Sequence, residues 1–201
     1  ARERLDLFLP EGVALGLVVF VHGGYWRAFS KSDWSHFAGG ALAHGWAVAM
    51  PGYTLCPQIK VSGITRQVAA AIAVAARSLG GPIRLAGHSA GGHLVARMAC
   101  EAPPLPEAVA ARIVSVLSIS GVHDLRPLLR TAINGDLRLD RAEAMAESPA
   151  LLTPREGIPV TCWVGADERP EFRRQNALLA NVWTGCGAAT REVEEPGKHH
   201  F

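Results

Sequence analysis

The chain carries short apolar runs at regular intervals, and most of them end at glycine, proline or a polar loop. The first run, at 15–21 (LGLVVFV), is apolar throughout and rich in valine. Such a run is typical of a strand buried on both faces, which belongs to a sheet that helices cover on both sides. Further strands are expected at 46–50, 83–86, 113–119, 160–164 and 190–193.

Residues between these runs repeat their apolar positions at helical spacing. Ser32 and Ser62 are plausible N-caps for the first two helices. The predicted helices run from Ser32 to Gly45, from Ser62 to Gly80, from the turn at 87–92 to about Cys100, and from Pro170 to about Trp183.

Alternating strands and helices predict parallel strands joined by right-handed crossovers, with ligands bound beyond the carboxyl ends of the strands. Residues 122–157 break the alternation with mixed charge, Pro127 and Pro149. We expect them to form a small cap-like insertion over one end of the sheet, with a short helix that Asp140 and Glu143 begin. The 201 residues suffice for a single domain.

Composition excludes several functional classes. Lys and Arg total 20, Asp and Glu total 18, and no run of like charge would recruit nucleic acid or an anionic membrane. No apolar run reaches the roughly 18 residues of a membrane-spanning helix. The four cysteines lack the close pairing of a metal site or a redox motif. We therefore expect a small-molecule substrate and neither a zinc site nor a redox motif, and leave a homodimer open.

No signal peptide precedes Ala1, which favours a cytoplasmic location. The chain does not begin with Met, so an upstream segment is compatible with this sequence.

The segment 87–91 (GHSAG) fits the pattern G-x-S-x-G, with a predicted strand before it and a predicted helix after it. The flanking glycines allow a sharp turn that exposes the serine. Ser89 is therefore the candidate nucleophile, and the alternative is an ordinary N-cap serine.

A serine nucleophile needs a histidine base, and that base needs a carboxylate to orient it. In this type of fold the chain order is Ser, then Asp or Glu, then His. Asp167 follows the strand at 160–164, with Glu168 as the neighbouring alternative and Asp124 as a more distant one. His199 and His200 follow the last strand, and either could be the base.

Backbone N–H groups are expected to stabilise the oxyanion that forms during acyl transfer. The first buried strand ends at His22-Gly23-Gly24, so Gly23 and Gly24 are candidate donors, together with Ala90 after the nucleophile. His22 is expected to brace this loop. Tyr25 and Trp26 follow directly and are candidate substrate-binding residues, with ordinary core packing as the alternative.

Two motifs carry a family resemblance. Residues 22–26 have the form HGGxW, and together with 87–94 (GHSAGGHL) they resemble the kynurenine formamidase (arylformamidase) branch of the α/β-hydrolases, which is close to the hormone-sensitive-lipase-like esterases. The segments 53–57 (YTLCP), 147–149 (ESP) and 167–175 (DERPEFRRQ) are also similar to that family. Its members tend to place Phe after the catalytic histidine, and only His200 precedes one, which implies His200 as the base.

The resemblance implies a three-layer α/β-hydrolase fold, with a mostly parallel central sheet, helices on both faces and a small cap insertion. It also implies hydrolysis of N-formyl-L-kynurenine to kynurenine and formate, without a cofactor. A carboxylesterase for small acyl or aryl esters is the alternative, and a catalytically inactive binding module is a rival from another class. Relatives continue with a terminal helix, so we expect such a helix to follow Phe201.

Overall fold

A computed structural model describes residues 2–201 and contains a seven-stranded sheet. The strands are β1 (Leu5–Phe8), β2 (Leu17–Val21), β3 (Ala47–Pro51), β4 (Ile83–His88), β5 (Ile113–Ile119), β6 (Val160–Gly165) and β7 (Thr190–Glu195). Their order in the sheet is β1-β3-β2-β4-β5-β6-β7. Only β1 is antiparallel to its neighbour, and the other pairs are parallel. The mostly parallel sheet predicted from the sequence is confirmed.

Helices connect the strands and flank the sheet, as expected. They are α1 (Ala38–Ala43), α2 (Val61–Ser78), α3 (Ala90–Met98), α4 (Glu107–Ala110), α5 (Asn134–Leu137), α6 (Arg141–Ala146) and α7 (Pro170–Gly185). Three 3₁₀ helices lie at Lys31–Phe37, Arg126–Arg130 and Pro149–Leu151.

Successive residues of β2 point to opposite faces of the sheet, and both faces are packed. Val19 and Val21 belong to the larger core, which also contains apolar residues of α2, α3 and α7. Phe20 and Met50 belong to a second cluster on the other face. Side chains of α1 and of the preceding 3₁₀ helix pack against this cluster. The sheet therefore lies between two helical layers, which fixes the carboxyl ends of β2, β4, β5 and β6 at one edge.

The segment 122–157 forms short helices rather than a continued strand-helix repeat. Asp140 caps α6 by accepting a hydrogen bond from the backbone N–H of Glu143 at 2.8 Å, as predicted. Leu125 N–H donates to Ser148 Oγ at 2.8 Å, and Ala150 N–H donates to the His123 carbonyl at 3.0 Å. These bonds join the two ends of the segment to each other.

Several local predictions were wrong. Ser30, rather than Ser32, stands at the start of the first helical segment, which begins as a 3₁₀ helix. Helix α2 begins at Val61, and Ser62 N–H donates to the Glu143 carboxylate at 3.0 Å. A side chain from the insertion therefore takes the role predicted for the Ser62 hydroxyl. The edge strand β1 and the short helix α4 were not predicted.

Among residues 2–201, none of the helices combines the length and apolar character that crossing a membrane would require.

Two core histidines are held neutral. His93 and His123 are fully buried, and burial lowers the pKa of each to about 3 because the charged imidazolium would be desolvated. In the unfolded chain each would titrate near its ordinary value of 6.5. Below pH 6.5 the unfolded state therefore binds protons that the folded state does not.

We expect the free energy of unfolding to fall as the pH is lowered from 6.5 towards 4. Well below pH 6.5, each buried histidine should contribute a loss of about 1.4 kcal/mol per pH unit. Urea denaturation between pH 7.5 and 4.5 measures this slope. His123→Asn should make it shallower, whereas His44→Gln, at an exposed histidine, should leave it unchanged. A slope that His123→Asn does not alter would contradict this account of the core.

Candidate active site

Ser89 lies in the turn between β4 and α3 with a left-handed backbone, φ 56° and ψ −116°. Its backbone N–H donates to the Ile119 carbonyl at 2.8 Å, which fixes the turn against β5. Ser89 occupies the N-cap position of α3, but its side chain makes no capping hydrogen bond. The hydroxyl is therefore not used as a helix cap, and the strained backbone is typical of a functional position.

Glycine is required beside Ser89 because β4, α3 and the end of β2 approach closely. A Cβ atom at Gly91 would collide with the Val21 carbonyl oxygen, and one at Gly87 would collide with the Gly91 carbonyl. Any side chain at Gly91 would force α3 away from the sheet. The pattern G-x-S-x-G is therefore a packing requirement of this turn.

The loop after β2 lies directly against Ser89. A Cβ atom on Gly23 would be 2.8 Å from the His88 carbonyl oxygen and 3.0 Å from Ser89 Cβ, so the backbone of Gly23 closely approaches the serine. Among residues 2–201, the N–H groups of Gly23, Gly24 and Ala90 have no hydrogen-bond partner. Such free N–H groups beside a serine can stabilise a developing oxyanion.

His22 and Tyr53 hold this loop from behind. Their rings are stacked with centroids 4.3 Å apart, and the Tyr53 hydroxyl donates to the His22 carbonyl at 2.9 Å. His22 Nδ1 also donates to the Gly23 carbonyl at 2.8 Å. Burial lowers the pKa of His22 to about 4, so this ring is neutral and braces the loop.

Trp26 is a core residue, and its prediction as a substrate-binding residue was wrong. Its side chain is fully buried, and its indole N–H donates to His93 Nδ1 at 3.3 Å. His93 Nε2 in turn donates to the Glu147 carbonyl at 2.6 Å. Trp26 lies within a turn in which the N–H groups of Arg27 and Ala28 donate to the Gly24 carbonyl at 3.0 Å, and its own φ is 57°. Trp26 and His93 therefore connect the HGGxW loop, α3 and the insertion.

The carboxylate that contacts the histidine belongs to Glu168, and the first choice, Asp167, is corrected. His200 Nδ1 lies 2.6 Å from Glu168 Oε2. Asp167 is exposed, and its backbone N–H donates to the Lys198 carbonyl. Adjacent residues of this turn point in different directions, and only the Glu168 side chain turns inward. Asp124, the more distant candidate, forms an ion pair with Arg126 at 2.9 Å.

Glu168 is held by donors on its other oxygen as well. Glu168 Oε1 accepts hydrogen bonds from the Ser120 hydroxyl at 2.5 Å and from the Gly165 N–H at 3.0 Å. Burial alone would raise the pKa of Glu168, but the hydrogen bonds from Ser120, His200 and Gly165 outweigh it and keep the pKa below its ordinary value. The carboxylate is therefore ionised at neutral pH.

His200 is positioned by its surroundings, whereas His199 is exposed. His88 Nε2 donates to the His200 carbonyl at 2.8 Å, and the Phe172 ring lies 4.2 Å from the His200 ring, centroid to centroid. Within the described residues, neither Ser89 Oγ nor His200 Nε2 makes a hydrogen bond. Catalytic hydrogen bonds are often long in unliganded enzymes, so the absence of a bond between Ser89 and His200 is compatible with a role as nucleophile and base.

A cavity of about 310 Å³ adjoins this arrangement. Tyr25 and Phe172 line it, with ring centroids 6.3 Å apart, and residues of the insertion complete its wall. Tyr25 thus lies where a substrate-binding residue is expected. Across residues 2–201, no three His, Cys, Asp or Glu side chains are grouped so that they could hold a metal ion.

Sequence reasoning missed Ser120, His88 and Phe172 as parts of the site. Ser120 directly follows β5, between the neighbouring strands that carry Ser89 and Glu168. That position was a usable signal, because the carboxyl ends of adjacent parallel strands meet at one edge. The contacts of His88 and Phe172 depend on where His200 lies in the fold, which no local pattern indicates.

Comparison with known proteins identifies the family of this chain. The profile of the Alpha/beta hydrolase family matches residues 18–200. Kynurenine formamidases of Danio rerio and Salmo salar are each 31% identical to the chain, which covers 71% of their length, and the alignments include 99% of the chain.

Solved structures show the same fold. The crystal structure of a thioesterase candidate from Silicibacter sp. TM1040 has a TM-score of 0.94 and 54% identity, and the match covers 99% of this chain and 74% of that one. A thermophilic esterase from Thermogutta terrifontis has a TM-score of 0.74 and 21% identity, covering 98% and 79% of the two chains, and this likeness concerns the fold alone. The chain belongs to the alpha/beta hydrolase family.

Proposed function

We propose that the protein is a serine hydrolase that cleaves a small acyl amide, N-formyl-L-kynurenine, to kynurenine and formate. The observation that carries the proposal is the short contact between His200 and Glu168, together with the 4.6 Å centroid distance between the rings of His200 and His88, the residue before the strained Ser89. The similarity to kynurenine formamidases supports the choice of substrate.

In the proposed mechanism, Glu168 stays ionised and accepts a hydrogen bond from Nδ1–H of His200, which leaves Nε2 unprotonated as the base. His200 takes the proton of the Ser89 hydroxyl while Oγ attacks the formyl carbon. The resulting oxyanion accepts hydrogen bonds from Ala90 and from Gly23 or Gly24.

Collapse of this intermediate breaks the carbon–nitrogen bond, and His200 gives its proton to the departing aryl amine. Water then enters, His200 removes a proton from it, and the hydroxide attacks the formyl ester. Formate leaves and Ser89 regains its proton. The same residues would also cleave esters, so the amide and ester activities differ only in the fit of the pocket.

An ester or thioester hydrolase is the second candidate. The Silicibacter relative, 54% identical, is described as a thioesterase candidate. The comparison of kcat/KM for the formamide, an aryl acetate and an acyl thioester separates these functions. A kcat/KM for N-formyl-L-kynurenine well above the other two supports the first proposal, and the reverse order would replace it.

Replacing Ser89 by Ala should reduce turnover of both N-formyl-L-kynurenine and p-nitrophenyl acetate by at least about 10³-fold, because the nucleophile is lost. Steady-state kinetics with both substrates measure this effect. Ser35→Ala, at a partly exposed serine of the first 3₁₀ helix, is the matched control and should retain activity. Residual activity above a few per cent in Ser89→Ala would contradict the assignment.

Glu168→Gln should lower kcat by roughly 10²- to 10⁴-fold, because the amide no longer stabilises the protonated base. Asp167→Asn, one residue earlier and exposed, should change kcat less than twofold. Kinetics of the two variants on the same substrate compare the two candidate acids directly. A larger loss in Asp167→Asn would restore Asp167 as the acid.

Ser120→Ala should lower kcat by about tenfold while KM stays within twofold, because Glu168 loses a charge-assisted hydrogen bond. The pKa of Glu168 should rise, so the acid limb of the profile of kcat against pH should also change. Ser118→Ala is the control, because it removes a buried hydroxyl two residues before Ser120 that contacts His123 instead of Glu168. If both variants lose stability but neither alters the pH profile, Ser120 has only a structural role.

A further inference from the structure

The cavity beside His200 has mostly apolar and aromatic walls. Tyr25, Phe172, Leu128 and Ile133 line it. Its volume of about 310 Å³ is at the lower end of the roughly 300–1,000 Å³ that ligand pockets occupy. Phe172 contacts the ring of His200, so the cavity can hold the group attached to a carbonyl that Ser89 attacks. Flat aromatic groups suit such walls.

Two of the polar residues that line this cavity are already engaged. The Glu171 carboxylate accepts hydrogen bonds from Arg174 Nε and Nη2 at 2.7 and 2.8 Å, and from Gln175 Nε2 at 2.8 Å. Gln175 Oε1 accepts the backbone N–H groups of His123 and Asp124 at 2.8 Å. Neither Glu171 nor Gln175 is therefore free to bind a further charged group.

Arg169 is the contrasting case. Its side chain lines the same cavity and is exposed, and within residues 2–201 it makes no ion pair or side-chain hydrogen bond. The neighbouring carboxylate of Glu168 is occupied by Ser120, Gly165 and His200. An arginine offers five N–H donors in a planar group that matches a carboxylate.

The Tyr25 side chain lies in the field of this guanidinium. Burial raises the pKa of the Tyr25 hydroxyl, and the positive charge of Arg169 is the largest effect opposing that rise. The guanidinium therefore lies near the aromatic wall, with its charge uncompensated by a protein carboxylate. A ligand that places an aromatic ring against Tyr25 and Phe172 could reach Arg169 with a substituent.

We infer that Arg169 binds a carboxylate carried by the aromatic portion of the substrate, so that the enzyme prefers aryl amides or esters that bear a carboxylate to those that lack one. The inference rests on the proposed function, because it places in this cavity the aryl amine that departs when the acyl-enzyme forms. Arg169 is a specificity-determining residue in this account and takes no part in the bond-breaking steps.

The test compares N-formyl-L-kynurenine with its carboxyl methyl ester, which removes the negative charge and keeps the scissile formamide. Deformylation of both is followed by the absorbance of the free aryl amine. Wild type should favour the acid by at least about tenfold in kcat/KM. Arg169→Gln should lower kcat/KM for the acid by roughly 10- to 100-fold, mainly through KM, and leave the methyl ester within twofold. Arg169→Lys should retain part of the preference.

Arg173→Gln is the matched control, because Arg173 lies near the start of α7, which Arg169 directly precedes, but pairs with Glu194 at 2.9 Å. It should leave the preference for the acid unchanged. Equal losses for the two substrates in Arg169→Gln, or no loss for either, would overturn the inference.

A second substrate pair separates failure of this inference from failure of the proposed function. If neither formamide is cleaved, the formamidase proposal fails, and 4-acetoxybenzoate is compared with its methyl ester by release of the phenol. The same Arg169-dependent preference for the anionic ester would then support the inference without the formamidase activity. If this preference is absent, the inference is refuted.

Discussion

The turn at Ser89 brings three backbone segments together with almost no room for side chains. A left-handed backbone at a non-glycine residue costs on the order of 1–3 kcal/mol, so it persists only where the surrounding structure enforces it. Here the N–H of Ser89 is held by the Ile119 carbonyl, and Gly91 allows α3 to lie against the end of β2. The same contacts place Gly23 against Ser89 Cβ, so the proposed oxyanion donors and the proposed nucleophile are fixed by one packing constraint.

A shell of neutral aromatic residues supports this turn. Tyr53 and His22 brace the loop after β2, and the hydrogen bonds of Trp26, His93 and the Glu147 carbonyl connect that loop to α3 and to the insertion. The histidines of this shell have depressed pKa values, so they remain hydrogen-bonded without a buried positive charge. In contrast, His200 faces an ionised carboxylate, as a general base requires.

Much of this arrangement could be predicted from the sequence because apolar runs, glycines and polar residues follow one another in a fixed order. For example, the mostly apolar run at 113–119 was predicted as a strand, and strand β5 has the same first and last residues. Edge strand β1 (LDLF) was missed because its four residues, three half-buried and one exposed, give too short an alternation. The start of α2 was misassigned because Glu143, distant in sequence, binds its N-terminal N–H.

Within the site, the sequence could not separate Asp167 from Glu168, since both follow β6 and only the direction of each side chain distinguishes them. It also could not place Trp26, because a loop beside the site can direct an aromatic ring either to the cavity or to the core. Tyr25 and Trp26 are neighbours with similar positive φ values, and only Tyr25 lines the cavity.

The central claim is that His200 and Glu168 activate Ser89. Reaction with a fluorophosphonate, followed by peptide mapping in a mass spectrometer, tests it most directly, because the Oγ of an activated serine attacks phosphorus, displaces fluoride and becomes phosphonylated. The account predicts one adduct, on Ser89, that forms in the native protein and is lost when the protein is first unfolded in urea. No adduct, or an adduct on another serine, would contradict it.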